Sequence, residues 1–281
     1  MTPDRRGTDV RRNTILELKA EQFNEDWCSA CDALAEAYKR MTDPKHYAVV
    51  DVRKWAPASS MLVTLAALLD HMKRKKGAHA SNYKKLDEWY WATVFANRYN
   101  EGVNTNTLSD YQRMVEWFND ETKVPDFIRK FNVASVDLHV ESQSSAIYRG
   151  VISLVVRAGA KDFKTGKEPA LEPSKVQDDH VFPRKIFKTD VVLNRTLIST
   201  NQEKSDAVPS EYFKALVTIN TKDGLLDVLR THLIDVSGLD ALLANDLTKF
   251  LDAREKRIRE VIGELVPHRI SPSAPDDENI Q

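Results

Sequence analysis

Apolar side chains recur at three- and four-residue intervals through most of the chain, the spacing that lines one face of an α-helix. From Asn13 to Met41 the set is Ile15, Leu16, Leu18, Phe23, Trp27, Ala30, Leu34 and Tyr38, and Thr42-Asp43-Pro44 ends it. Ala56-Pro57 opens a second helix, with proline near the first position, where its missing N–H is no loss. That helix carries Met61, Leu62, Leu65, Leu68 and Leu69, then closes on Lys73-Arg74-Lys75-Lys76 before Gly77. A third holds Leu86, Trp89, Tyr90, Thr93 and Val94. A fourth runs from Leu108 to Phe118, with Asp110 and Arg113 on its polar side, and Ser144 to Ala158 reads as a buried helix. Between Ala160 and Ser210 the texture changes. Polar turns separate two short β-branched runs, 176–183 and 191–198, which predict two strands with a loop and then a helix. Helical spacing returns at 224–230 and 239–265.

The expected fold class is mainly α with a small α+β insert. Four parts are expected: a helical domain over 1–158, the insert over 159–215, C-terminal helices over 216–270 that pack on the helical domain, and a disordered tail over 271–281. Composition agrees, since 9 glycines in 281 residues is a helix-rich usage. The hydrophobic content of 42% with a net charge of −1 excludes a wholly disordered chain. Two cysteines exclude a disulfide scaffold. No apolar run approaches the length that spans a bilayer, and the start has no signal-peptide pattern, so a soluble cytoplasmic protein without a membrane partner is expected. Balanced charge leaves any phosphate contact to local patches.

The insert concentrates the candidate chemistry. It contains Asp178-Asp179-His180-Val181-Phe182-Pro183, then Asn194, Asn201 and Lys204. Histidine is the side chain best able to accept a proton near neutral pH. Aspartate and asparagine offer hard oxygens, which select Mg²⁺ or Mn²⁺ over zinc. A base beside an oxygen-ligated cation suits attack of water on a phosphodiester. Asp178 is a weaker candidate than Asp179, because adjacent strand residues face opposite sides.

These residues resemble a family. Asp179-His180-Val-Phe-Pro, Asn194-Arg-Thr-Leu-Ile-Ser and Asn201-Gln-Glu-Lys-Ser-Asp-Ala-Val-Pro-Ser210 look like an HNH nuclease of the ββα-metal fold. The pattern is closest to the variant with Asn as the last member, as in RNA-guided CRISPR nucleases. A broader likeness, through Trp89-Tyr-Trp91, Arg98-Tyr99, Asp162-Phe-Lys-Thr-Gly166 and Phe250-Leu-Asp-Ala-Arg254, is to the C-terminal half of GmrSD-type restriction enzymes. The resemblance implies that His180 activates water, that Asp179 and Asn201 hold Mg²⁺ (with Mn²⁺ able to substitute), and that Asn194 holds the loop and orients His180. It also implies that Lys204, Arg184 and Arg195 contact phosphate. The implied activity is that of a DNA endonuclease or nickase in anti-phage restriction, leaving a 5′-phosphate and a 3′-hydroxyl. The nucleotide-binding motif that opens such restriction enzymes is missing here, so the chain looks like an effector half whose sensor is a separate chain or domain. Oligomeric state is not readable.

Other features have competing readings. Trp27-Cys28-Ser-Ala-Cys31 matches a redox Trp-Cys-x-x-Cys pattern, but its flanks are helical and a second cysteine pair for zinc is missing, so inert thiols are expected. Lys73-Arg74-Lys75-Lys76 suits both a DNA-backbone patch and a solubilising helix end. The aromatics Trp89, Tyr90, Trp91 and Tyr99 are expected in the core rather than stacked on bases. The rival to catalysis is a silent DNA- or partner-binding module; an RNA substrate is a second rival.

Overall fold

The computed structural model describes residues 23–75, 77–167, 176–199 and 207–267, together with positions 16 and 21. Among the described residues the architecture is mainly helical, with one antiparallel pair of strands. The first half builds a bundle from α1 (Phe23–Thr42), α2 (Val52–Trp55), α3 (Met61–Arg74), α4 (Ala80–Phe95), α5 (Val103–Asn119), α6 (Asp126–Arg129) and α7 (Ala146–Arg157). At its centre, α4 is buried almost all round from Leu86 to Phe95, as a helix surrounded by others must be. Leu86, Trp89, Tyr90, Trp91 and Val94 are essentially inaccessible, which places the aromatic run in the core. Helix α7 crosses α4 closely at Gly150, where a Cβ would lie 2.5 Å from Val94 Cγ1.

Two positions depart from the helical reading of the sequence. Asp110, expected on a polar face, is fully buried: its carboxylate accepts hydrogen bonds from Trp89 Nε1 at 3.1 Å and Arg98 Nε at 2.8 Å. Burial pushes its pKa up, and the bonds from Arg98 and Trp89 oppose that shift. The apolar stripe of α1 is the second departure. Ala33, Ala37 and Met41 face the core, whereas Phe23, Trp27, Leu34 and Tyr38 lie on the surface.

The second half is arranged around the hairpin. Strand β1 (Val176–His180) pairs antiparallel with β2 (Arg195–Ser199), in a register that sets Asp178 opposite Leu197, Asp179 opposite Thr196 and His180 opposite Arg195. A short helix α8 (Arg184–Phe187) and a 3₁₀ turn (Val192–Asn194) form the connection, so the start of the expected second strand is a turn. Helices α9 (Pro209–Asn220), α10 (Lys222–Arg230), α11 (Val236–Leu243) and α12 (Leu247–Leu265) follow. The pattern over 239–265 is broken between α11 and α12, where Asn245 adopts φ +55° and the Asp246 side chain caps α12 by accepting from Lys249 N.

Alternation along β2 joins two cores. Leu197 packs into the core of the bundle. Ile198 packs into a second core with Phe163, Phe182, Phe213, Leu229, Leu239 and Phe250, to which α9, α10 and α11 contribute. Helix α12 reaches across both, with Phe250 in the second core and Ile258 and Ile262 in the first. Between them Arg254 is buried, donating from Nη1 to Leu193 O at 2.7 Å and from Nη2 to His232 O at 3.3 Å. No described helix is long and apolar enough to cross a membrane.

His232 is fully buried beside this junction. Its Nε2 lies 2.5 Å from Lys161 O and its Nδ1 2.6 Å from Thr196 Oγ1. A neutral ring satisfies both contacts, donating to the carbonyl and accepting from the hydroxyl. Burial lowers its pKa to about 4, below an ordinary histidine. Its contribution to stability is therefore complete above the unfolded value of 6.5 and is lost as pH falls from there through about 4. Urea unfolding at pH 7 and pH 4 should show an acid loss on the order of 3 kcal/mol attributable to this ring. That part of the pH dependence should disappear in His232→Gln.

Candidate functional site

His180, Asn194, Arg184 and Arg195 lie where the hairpin opens into its connection. Asn194, fully buried, clasps the far side of that connection: Oδ1 accepts from Phe182 N at 2.8 Å and Nδ2 donates to Phe182 O at 2.9 Å. Its own carbonyl accepts from Val181 N at 2.8 Å. One amide side chain thus mimics a β-ladder pair and extends the hairpin beyond His180. The backbone on both sides of the imidazole is thereby fixed.

His180 is partly buried at the end of β1. Its Nε2 lies 2.9 Å from Asp190 Oδ1, and Asp190 also holds Arg184 Nη1 at 3.0 Å and Arg195 Nη2. Burial opposes charge on Asp190, yet hydrogen bonds from Arg195 and His180 hold its carboxyl below the ordinary range. Burial lowers the His180 pKa; the Asp190 hydrogen bond opposes this and the Arg195 charge adds to it. The imidazole is consequently biased toward its neutral form, able to accept a proton near pH 7. With its Nε2 proton directed at Asp190, the basic lone pair resides on Nδ1.

Strand alternation separates the two aspartates. Asp178 shares a face with His180, where Tyr148 donates to its Oδ2, Gln143 Nε2 approaches at 3.2 Å and Arg195 Nη1 lies 3.7 Å from Oδ1. Burial raises the Asp178 pKa, and the Tyr148 and Arg195 contacts counter it. Asp179 points to the opposite side of the strand. There its charge and that of Asp162 bear on Tyr212 in the first turn of α9, whose phenol is pushed up to about 12, chiefly by burial. Asp179 is partly exposed, as a carboxylate must be to take a hydrated cation.

The two arginines differ. Arg184 has a side chain that is 64% exposed, free to reach a phosphate outside the protein while touching Asp190. Arg195 is turned inward at 9% exposure between Asp190 and Asp178, so its charge is spent on holding two carboxylates in place. Asn201 and Lys204 lie outside the described residues. Asp190, Tyr148 and Gln143 were not among the expected site residues. Asp190 carried a readable signal, as the lone carboxylate between His180 and Asn194; Tyr148 and Gln143 come from the α7 region and reach the site only through packing.

The expected metal ligands can be compared with what the described residues offer. Among the described residues no three His, Cys, Asp or Glu side chains group as metal ligands. Of the two residues expected to hold the cation, Asp179 offers a hard carboxylate oxygen next to His180 in the chain, and Asn201 lies outside the described residues. A carboxylate oxygen is a hard donor of the kind that Mg²⁺ accepts.

The comparisons with known proteins do not name a family. An uncharacterized protein of Methanocaldococcus jannaschii is 25% identical over 299 residues, covering 93% of this chain and 50% of that protein. The chain therefore spans about half the length of that relative. No protein-family model matches the chain, and no solved structure matches it.

Asn194→Ala removes both bonds to Phe182 and leaves a buried N–H and C=O unpaired. It should destabilise the protein by about 2–4 kcal/mol. Chemical unfolding measures this, and a loss below about 0.5 kcal/mol would contradict the clasp.

Proposed function

We propose that this chain is a Mg²⁺-dependent DNA endonuclease of the HNH type, nicking one strand per event, and that it serves as the effector part of an anti-phage restriction system. The observation that carries the reading is the placement of His180: at the mouth of a clasped hairpin, hydrogen-bonded to Asp190, with the Asp179 carboxylate on the adjoining strand position. A helix follows the hairpin, the order of a ββα unit.

In this reading the protein's residues do the following. His180 takes a proton from water through Nδ1 as the water oxygen bonds to phosphorus. The P–O3′ bond breaks, and the departing 3′-oxygen collects a proton from solvent. Asp190 holds the ring orientation and stabilises the imidazolium that forms, while Arg195 fixes Asp190 from behind. Asn194 keeps the strand ends from moving apart. Arg184 steadies a phosphate at the surface, with Lys204 as a second contact. Asp179 and Asn201 would hold Mg²⁺, which when bound supplies stabilisation of charge on the phosphate and leaving oxygen. One such centre cuts one strand. DNA affinity comes from backbone contacts without base readout.

Incubating supercoiled plasmid with the purified chain and Mg²⁺ should give nicked circles carrying 5′-phosphate and 3′-hydroxyl ends. His180→Ala should reduce the rate by roughly 10²-fold or more while the circular dichroism spectrum is unchanged. Wild-type nicking by that variant refutes the base assignment, and an inactive wild-type chain favours the silent binding module. EDTA should stop cleavage and Mg²⁺ or Mn²⁺ restore it; restoration by Zn²⁺ alone contradicts the oxygen-donor argument. Asp190→Asn should lower kcat by roughly 10–100-fold with KM little changed, as expected when the partner that orients a functional imidazole is altered.

A further inference from the structure

Helix α1 carries both cysteines of the chain, Cys28 and Cys31, and the two thiols are exposed and unbridged. The helical flanks on which the expectation of inert thiols rested are present, since both residues lie within Phe23–Thr42. Which side of the helix they occupy is a matter of packing. Ala33, Ala37 and Met41 turn one side of α1 to the bundle. At about 100° per residue, Cys28 and Cys31 bracket the opposite side, so the two thiols neighbour one another and face outward. Little shields them. Ser29 and Ala30 between them are small, and the Ser29 hydroxyl accepts from Arg74 Nη2 of α3 at 2.6 Å, on the side toward the bundle. One turn before Cys28 and one turn after Cys31 stand the short side chains of Asn24 and Ala35.

We propose that Cys28 and Cys31 form a reversible dithiol–disulfide site whose co-reactant is a small-molecule disulfide. Residues three apart on a helix have Cα atoms about 5 Å apart, inside the roughly 4.4–6.8 Å that a disulfide spans, and Cβ atoms about 5–6 Å apart, against the roughly 3.5–4.5 Å it prefers. Bridging the pair therefore needs one helical turn to tighten. This stretch of α1 is where tightening disturbs least packing, because every side chain from 23 to 32 except that of Ser29 is exposed. A bridge that holds its turn under strain is easily reduced, which suits the pair to exchange and not to stapling the fold. One cysteine thiolate attacks a sulfur of the small disulfide, forming a mixed disulfide and releasing the first small thiolate. The other cysteine thiolate attacks the cysteine sulfur of that mixed disulfide, closing the Cys28–Cys31 bond and releasing the second. Two protein thiols are oxidised and one disulfide is reduced to two thiols; the two cysteine protons pass through solvent to the departing sulfurs. Excess small thiol runs the same steps backward. The inference stands apart from the nuclease reading.

Intact-mass spectrometry of the full, folded chain after incubation with glutathione disulfide tests the proposal without reference to nuclease activity. The expected product is a single chain lighter by two hydrogen atoms and carrying no adduct. It should exceed the glutathione-bound form by roughly tenfold or more, because the second thiol is held next to the mixed disulfide. Cys28→Ser and Cys31→Ser should each stop at one glutathione adduct, and both should fold, since each position is exposed. Excess glutathione should return the wild-type chain to its starting mass. A wild-type chain that accumulates one or two glutathione adducts, that does not react, or that links to a second copy through a disulfide overturns the proposal. So does a bridge that excess glutathione leaves closed.

Discussion

A strand buried on both faces has no freedom of register, because a slip of one residue would move every side chain to the wrong side. β2 is such a strand. Leu197 enters one core and Ile198 the other, each burial stabilising by roughly 1.5–3 kcal/mol. The pairing of His180 with Arg195 follows from that constraint and not from any attraction between the two. The position of the imidazole is thus set by apolar packing on both sides of a two-stranded sheet that would be marginal alone. Arg254 reinforces the junction by tying Leu193 and His232 carbonyls together from α12.

Around this frame the polar groups form one connected arrangement. Arg195 bridges Asp190 and Asp178; Asp190 meets His180; Asp178 meets Tyr148. Each buried charge is matched by another, so neither carboxylate nor guanidinium is left alone in a low-dielectric setting. The consequence for chemistry is a histidine oriented by Asp190 and biased by burial toward its neutral form. An arginine used in this way is not available to a phosphate, which leaves contact with substrate to exposed groups such as Arg184.

Much of the fold was legible. The apolar periodicity located α3, α4, α5 and α7, the β-branched runs located the hairpin, and the Asp179-His180 dipeptide drew attention to the strand end. Asp110 was misplaced because a single aspartate on a helix reads as solvent-facing until the residues that bind it, Arg98 and Trp89, are brought alongside. The stripe of α1 was legible as an apolar helix face, but amphipathicity does not say what such a face meets. Asp190 was visible as a loop carboxylate, but its reach to His180 depends on the path of the connection through α8.

The sequence by itself determined that the chain is mainly helical with one small β insert, and it singled out His180 and its neighbours, because helical and strand periodicities and side-chain chemistry are local properties. Only the tertiary structure decided that Asp190 and not solvent meets His180, that Arg195 faces inward, and that Tyr148 from a distant helix joins Asp178. These contacts arise from the packing of two cores against one hairpin, and no local pattern encodes which surfaces will meet.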